Sequence, residues 1–233
     1  MEQSGSVQYL PSVDAGALDA VLVAWQAAQP GMGVCAMLPE AEKDKLPILQ
    51  ASCRSKGIEL VGGIFPALIE DGQFRTQGVW LMRFERMPPY MLLEDLPLDA
   101  AAVTARMREV SAALAGHLNG AADATLFMMF DAMQPNIGSL LDELYLNLAN
   151  RVHYAGVNAG SETFQPMPCL FDGEKLIGRG ALFILLPDHK GAILEHGYHA
   201  PKKTVYATST EGNRIAQIDW RPAFEVYQEL VRA

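Results

Sequence analysis

Apolar runs of strand length alternate with helix-patterned segments along most of this chain, and that alternation confines it to the α/β class. Leu18, Val21, Leu22 and Trp25 recur at helical spacing, and Pro30-Gly31 ends the pattern. Residues 34–38 form a short apolar run, expected as a buried strand. Pro47 suits the first turn of the next helix, which carries Ile48, Leu49 and Cys53 and closes at Gly57. Strands are predicted over 58–61 and 79–84. Asp99 is placed to cap a helix with Val103, Met107, Val110, Leu114 and Leu118 on one face. A buried strand is expected at 124–130. Asn136 then opens a helix carrying Ile137, Leu140, Leu141, Leu144 and Leu148, and a strand follows over 153–157.

From there the pattern turns mostly β. Gly156-Val157-Asn158-Ala159-Gly160-Ser161 reads as a glycine-hinged turn after a strand. Asp172-Gly173 predicts a type I′ hairpin turn, in which both central residues take positive φ. A buried strand is expected over 180–186, with further strands between 192 and 218 and a turn at Glu211-Gly212-Asn213. Asp219 is read as the cap of a last helix, with Pro222 in its first turn and Val226, Tyr227, Leu230 and Val231 on its apolar side. That helix meets Ala233 without a glycine cap, so the natural protein is expected to continue. The fold expected is α/β, a mixed sheet with flanking helices that ends in a partial second α/β unit.

A chain of 233 residues can bury a proper core, and 50% hydrophobic with 19% charged residues is a globular composition. A formal net charge of -9 argues against nucleic acid or an anionic membrane as the main partner. Lys202-Lys203 is a pair and not a basic patch. The first six residues lack the basic and apolar pattern of a signal peptide, and no apolar stretch approaches the ~20 residues that span a bilayer. Cys35, Cys53 and Cys169 are scattered and odd in number, which predicts reduced thiols and a cytoplasmic location.

Catalytic signatures are missing. There is no G-x-S-x-G elbow, no H-E-x-x-H and no cysteine paired with a histidine in a recognisable signature, so the chain is read as a non-enzyme. Asp172 is accounted for by its hairpin turn, and Cys169 by burial as a small hydrophobe. The glycine turn at 156–161 offers backbone N–H groups to an anion, with Asn158, Ser161 and Glu162 beside it. It serves equally as a tight turn between strands.

Three motifs, in order, carry a resemblance. Val61-Gly62-Gly63-Ile64-Phe65-Pro66, Tyr154-Ala155-Gly156-Val157-Asn158-Ala159-Gly160 and Pro168-Cys169-Leu170-Phe171-Asp172-Gly173 look like the N-terminal half of FIST-type sensory domains. Residues 211–227 are similar to the start of that family's C-terminal half. The family's cysteine and Ala-Gly-Glu pattern after the first glycine is not found in 63–69. The resemblance divides the chain into a lead-in helix (1–32), an N-terminal sensory domain (33–190) and the start of a C-terminal one (191–233). Such proteins are mostly bacterial signalling components that bind small ligands. One branch with similar segments consists of haem-binding nitric-oxide sensors that regulate histidine kinases or cyclic-dinucleotide enzymes.

The resemblance therefore implies a small ligand, with haem the specific candidate, and a signalling partner such as a histidine kinase. Haem iron needs an axial ligand. Of His117, His153, His189, His196 and His199, the expected ligands are His196 and His153, with His196 as the metal ligand. His189 is read as an exposed turn residue. Gly62, Gly63 and Phe65 would wall the pocket on one side, and Asn158, Gly160 and Ser161 on the other. Two alternatives stay open: an amino acid or similar polar ligand held by Asn158, Ser161 and Glu162, or an interaction module that docks through exposed apolar strands and the last helix.

Overall fold

Asp14 accepts a hydrogen bond from the Ala17 amide at 2.9 Å and so caps helix α1 (Ala15–Ala28). This is seen in a computed structural model of the chain, which describes residues 6–118, 123–193, 197, 204–211 and 214–232. Leu18, Leu22 and Trp25 lie one turn apart on the inner face of α1 and are fully buried. Helix α2 (Leu46–Ser55) has Pro47 in its first turn and buries Leu49 and Cys53. The two helices cover one face of a six-stranded sheet. In spatial order its strands are β1 (Val7–Leu10), β6 (Val79–Phe84), β2 (Gly33–Pro39), β3 (Glu59–Phe65), β10 (Leu170–Asp172) and β11 (Leu176–Ile177). Only β2 and β3 are parallel neighbours in it.

A second mixed sheet has the order β7 (Tyr90–Leu93), β12 (Ala181–Leu186), β8 (Thr125–Asp131) and β9 (His153–Ala159), with β8 and β9 parallel. Strand β8 shows how it is covered. Leu126, Met128 and Phe130 belong to the core of helices α3 (Ala100–Ala115) and α4 (Ile137–Leu148). Phe127 and Met129 point the other way, into the core of the first sheet. The α/β reading therefore holds, with mixed strands and flanking helices. The strands divide into two facing sheets, each backed by its own helix pair.

Four local expectations differ. Strand β3 runs on to Phe65, so Gly62 and Gly63 lie within a strand. Strand β9 runs to Ala159, and the chain turns only at Gly160, whose φ is +145°. The 172–175 turn is not type I′: neither Gly173 nor Glu174 has positive φ, and the Asp172 carboxylate accepts from the Glu174 and Lys175 amides at 2.8 and 2.7 Å. Lastly, Asp219 accepts from the Tyr206 amide, and α5 (Ala223–Arg232) starts four residues later. Asp219 and Trp220 themselves take φ of 49° and 64°, the type I′ signature, in the turn joining β14 (Arg214–Ile218) to β15 (Arg221–Pro222). Strand β13 (Ala207–Glu211) pairs with β14, as expected, and the turn residues 212–213 lie outside the described residues. A small hairpin of β4 (Leu68–Glu70) and β5 (Gln73–Arg75) completes the strands.

Candidate ligand cleft between the sheets

Alternation on β2 and β6 decides what faces the second sheet. Val34, Ala36, Val79 and Leu81 point to the helices, so Cys35, Met37, Trp80, Met82 and Phe84 point inward. Facing sheets stand about 10 Å apart and need large side chains from both to fill the gap. The β9 strand lines the gap with the small side chains of Ala155 and Val157, and the gap stays open as two cavities of about 630 and 420 Å³. Cys35 and Met82 are direct cross-strand partners and stand in the wall of both.

The walls are apolar, and the polar groups gather at the rim of the larger cavity. Thr125, almost fully buried, donates to the His189 carbonyl at 2.6 Å and accepts from the Gly191 amide at 2.8 Å. The His189 ring sits alongside, with Nδ1 3.3 Å from the Thr125 hydroxyl. Arg86 reaches the same rim and forms no ion pair among the described residues. Burial alone pushes the Cys35 thiol up to about 12, so it stays protonated and is no thiolate ligand. Cys53 and Cys169 are likewise pushed up to about 12, chiefly by burial. Among the described residues, no cluster of three His, Cys, Asp or Glu is placed to hold a metal ion.

The site residues expected from sequence do not fall in one place. Phe65 lines the smaller cavity, and Gly63 lies beside it on the inward face, close to the Met129 sulfur. Gly160 joins them, its amide donating to the Ile64 carbonyl at 2.8 Å. Ser161 follows, its hydroxyl donating to Glu40 at 2.9 Å, while the Glu162 amide donates to the other oxygen of Glu40 at 3.0 Å. Asn158 is exposed on β9, and Gly62 faces the helices beneath the Phe171 ring. His153 starts β9, about 23 Å from Gly160 by strand rise, with its ring beside Gly191 and 3.9 Å from Asp123. His196 lies outside the described residues.

A family model, the FIST N domain, matches residues 35–221. The chain belongs to the FIST N domain family. FIST domains are sensory, non-catalytic domains of signal transduction. Among curated proteins a search finds no match. No helix among the described residues of this FIST N domain is long and apolar enough to cross a membrane. Of its cleft residues the motifs mark Phe65, Ala155 and Val157 and leave the opposite wall and the rim unmarked. Cys35, Met82 and Phe84 were detectable only as the inward half of two alternating strands. His189 carried no sequence signal, because its place on the rim depends on Thr125, 64 residues earlier.

Proposed function

We propose that this FIST N domain senses a small, predominantly apolar ligand held between its two sheets. The signal would pass to a partner protein such as a histidine kinase or a cyclic-dinucleotide enzyme. The apolar cleft carries this reading: each cavity lies within the range of about 300–1,000 Å³ typical of small-molecule sites, with few polar groups at one rim. A polar ligand on Asn158, Ser161 and Glu162 has less support, since Glu40 already takes the Ser161 hydroxyl and the Glu162 amide.

Haem belongs to this class of ligand, and the residues present suit it. The apolar walls would accept the macrocycle, Arg86 a carboxylate, and the Nε2 of His189 the iron. Bound haem would supply an iron that takes up nitric oxide. His189 thus joins His153 and His196 as an imidazole to test. Haem titration should give a Soret band and quench Trp80, which lines the smaller cavity, and Ala155→Phe should abolish both by filling the larger one. The same Ala155→Phe protein should fail to enhance a naphthalene-sulfonate dye. Haem and dye binding unchanged by Ala155→Phe would place the ligand elsewhere and end this reading.

A further inference from the structure

We infer that β9 is a docking edge for a second copy of this chain, whose own β9 pairs with it antiparallel about a twofold axis and seals the cleft. That the sealed space is the ligand site rests on the reading above. The edge comes first. Strand β9 ends the second sheet and pairs with β8 alone. At one end the His153 amide donates to the Ala124 carbonyl, and at the other Ala159 accepts from the Ala132 amide, so the odd-numbered residues turn their backbone groups to β8. Tyr154, Gly156 and Asn158 therefore aim their N–H and C=O groups outward, and no strand among the described residues pairs with them. Free edges are ordinarily kept short or blunted by Lys, Pro or a bulge. The other edge strands of the two main sheets, β1, β7 and β11, have four, four and two residues, whereas β9 has seven and carries none of those devices.

Charge selects the occupant. Two copies that each carry a net charge of -9 meet best on a strip without carboxylates, and residues 153–159 contain no Asp, Glu, Lys or Arg. A twofold at Gly156 sets Tyr154 of one copy opposite Asn158 of the other and Ala155 opposite Val157, so no like charges face each other. Shape agrees. Val7, Ile69 and Val157 line the smaller cavity and are all exposed at its mouth. A fifth strand beside β9 covers that mouth and sets the second copy's Val157 next to Ala155, a wall residue of the larger cavity. On the other face of the sheet, Tyr145 of α4 stands exposed against the Tyr154 ring and adds aromatic surface to the seam.

Sedimentation velocity of the full chain tests this and should show a dimer. Asn158→Pro removes an outward N–H without costing a bond to β8, and should raise the dimer dissociation constant at least about tenfold. Val157→Lys sets two ammonium groups on neighbouring diagonal positions of the seam and should do the same, with thermal melts showing that each variant folds. The naphthalene-sulfonate dye should bind more weakly to Asn158→Pro than to the dimer, and should in turn tighten the unmodified dimer. A monomer at every concentration overturns the inference and leaves the edge to a strand of another protein. A dimer that neither variant weakens overturns it as well. Dimer loss with dye binding unchanged overturns the seal, provided that the dye still answers to Ala155→Phe. Dye binding indifferent to Ala155→Phe ends the cleft reading and leaves the β9 dimer standing.

Discussion

Gly62 has no room for a side chain: a Cβ there would lie 2.0 Å from the Ala36 carbonyl and 2.5 Å from the Phe171 ring. At Gly63 the nearest atoms are the Met129 sulfur and the edge of Phe65, both at 3.2 Å and both able to move. Gly62→Ala should therefore cost about 1–3 kcal/mol or more in urea unfolding, and Gly63→Ala under about 1 kcal/mol. Equal losses would mean that the Phe171 contact is not what fixes Gly62. The doublet was visible in the sequence, but its meaning was not, because Phe171 comes more than a hundred residues later. The three thiols yield a second prediction at this scale. Each has an ordinary value near 9 and is held near 12 in the fold. Below about 9 both states keep the proton, and stability is complete. Above it the unfolded chain ionises while the fold cannot, so stability falls as pH climbs from about 9 toward 12. Thermal melts between pH 8 and 11 should show this fall, and Cys35→Ala should make it shallower. A thiol reagent at pH 8 should react only with unfolded protein.

Helices were the most legible elements, because their signals are local. The Asp99 carboxylate accepts from the Ala102 amide at 2.9 Å as expected, and Asp99→Ala should cost about 1 kcal/mol by chemical denaturation. Asn136 holds the start of α4 in a different way. Its side chain makes no cap bond and donates instead to the Pro97 carbonyl at 3.0 Å, fastening α4 to the segment before α3. Turns were less legible, since their type depends on distant partners. Gln50 of α2 donates to the Asp172 carbonyl at 2.9 Å, and β3 fixes the register of β10, so the Asp172 turn is set from two sides. Asp172→Ala should remove both carboxylate bonds to the turn amides and loosen β11. Hydrogen exchange at Lys175 and Ile177 measures that, and unchanged protection would show that the turn does not depend on them.

At the scale of the molecule, the α/β class was legible and the two-sheet arrangement was not. Both faces of β2, β8 and β12 are apolar, one against helices and one against the other sheet, so alternation in polarity is absent where it would have told the faces apart. The open cleft has a bulk consequence. Unfolding under pressure eliminates internal voids, and this chain should unfold with a volume decrease toward the larger end of about 20–100 mL/mol. Ala155→Phe should reduce that decrease in high-pressure fluorescence, and an unchanged volume would mean that water already fills the space.

The corner where the Gly160 amide meets the Ile64 carbonyl joins the end of β9 to the end of β3. Away from that corner the two sheets also share a core, to which Phe127, Met129, Leu182 and Ile184 of the second sheet contribute, so the pair resembles two covers of a book bound along one edge and open at the cleft. A molecule entering between the covers works against that bound edge. A tilt of α3 and α4 relative to α1 and α2 would have to part that shared core as well. A protein resting on the outer helices would then read occupancy as an angle and would never need to touch the bound molecule.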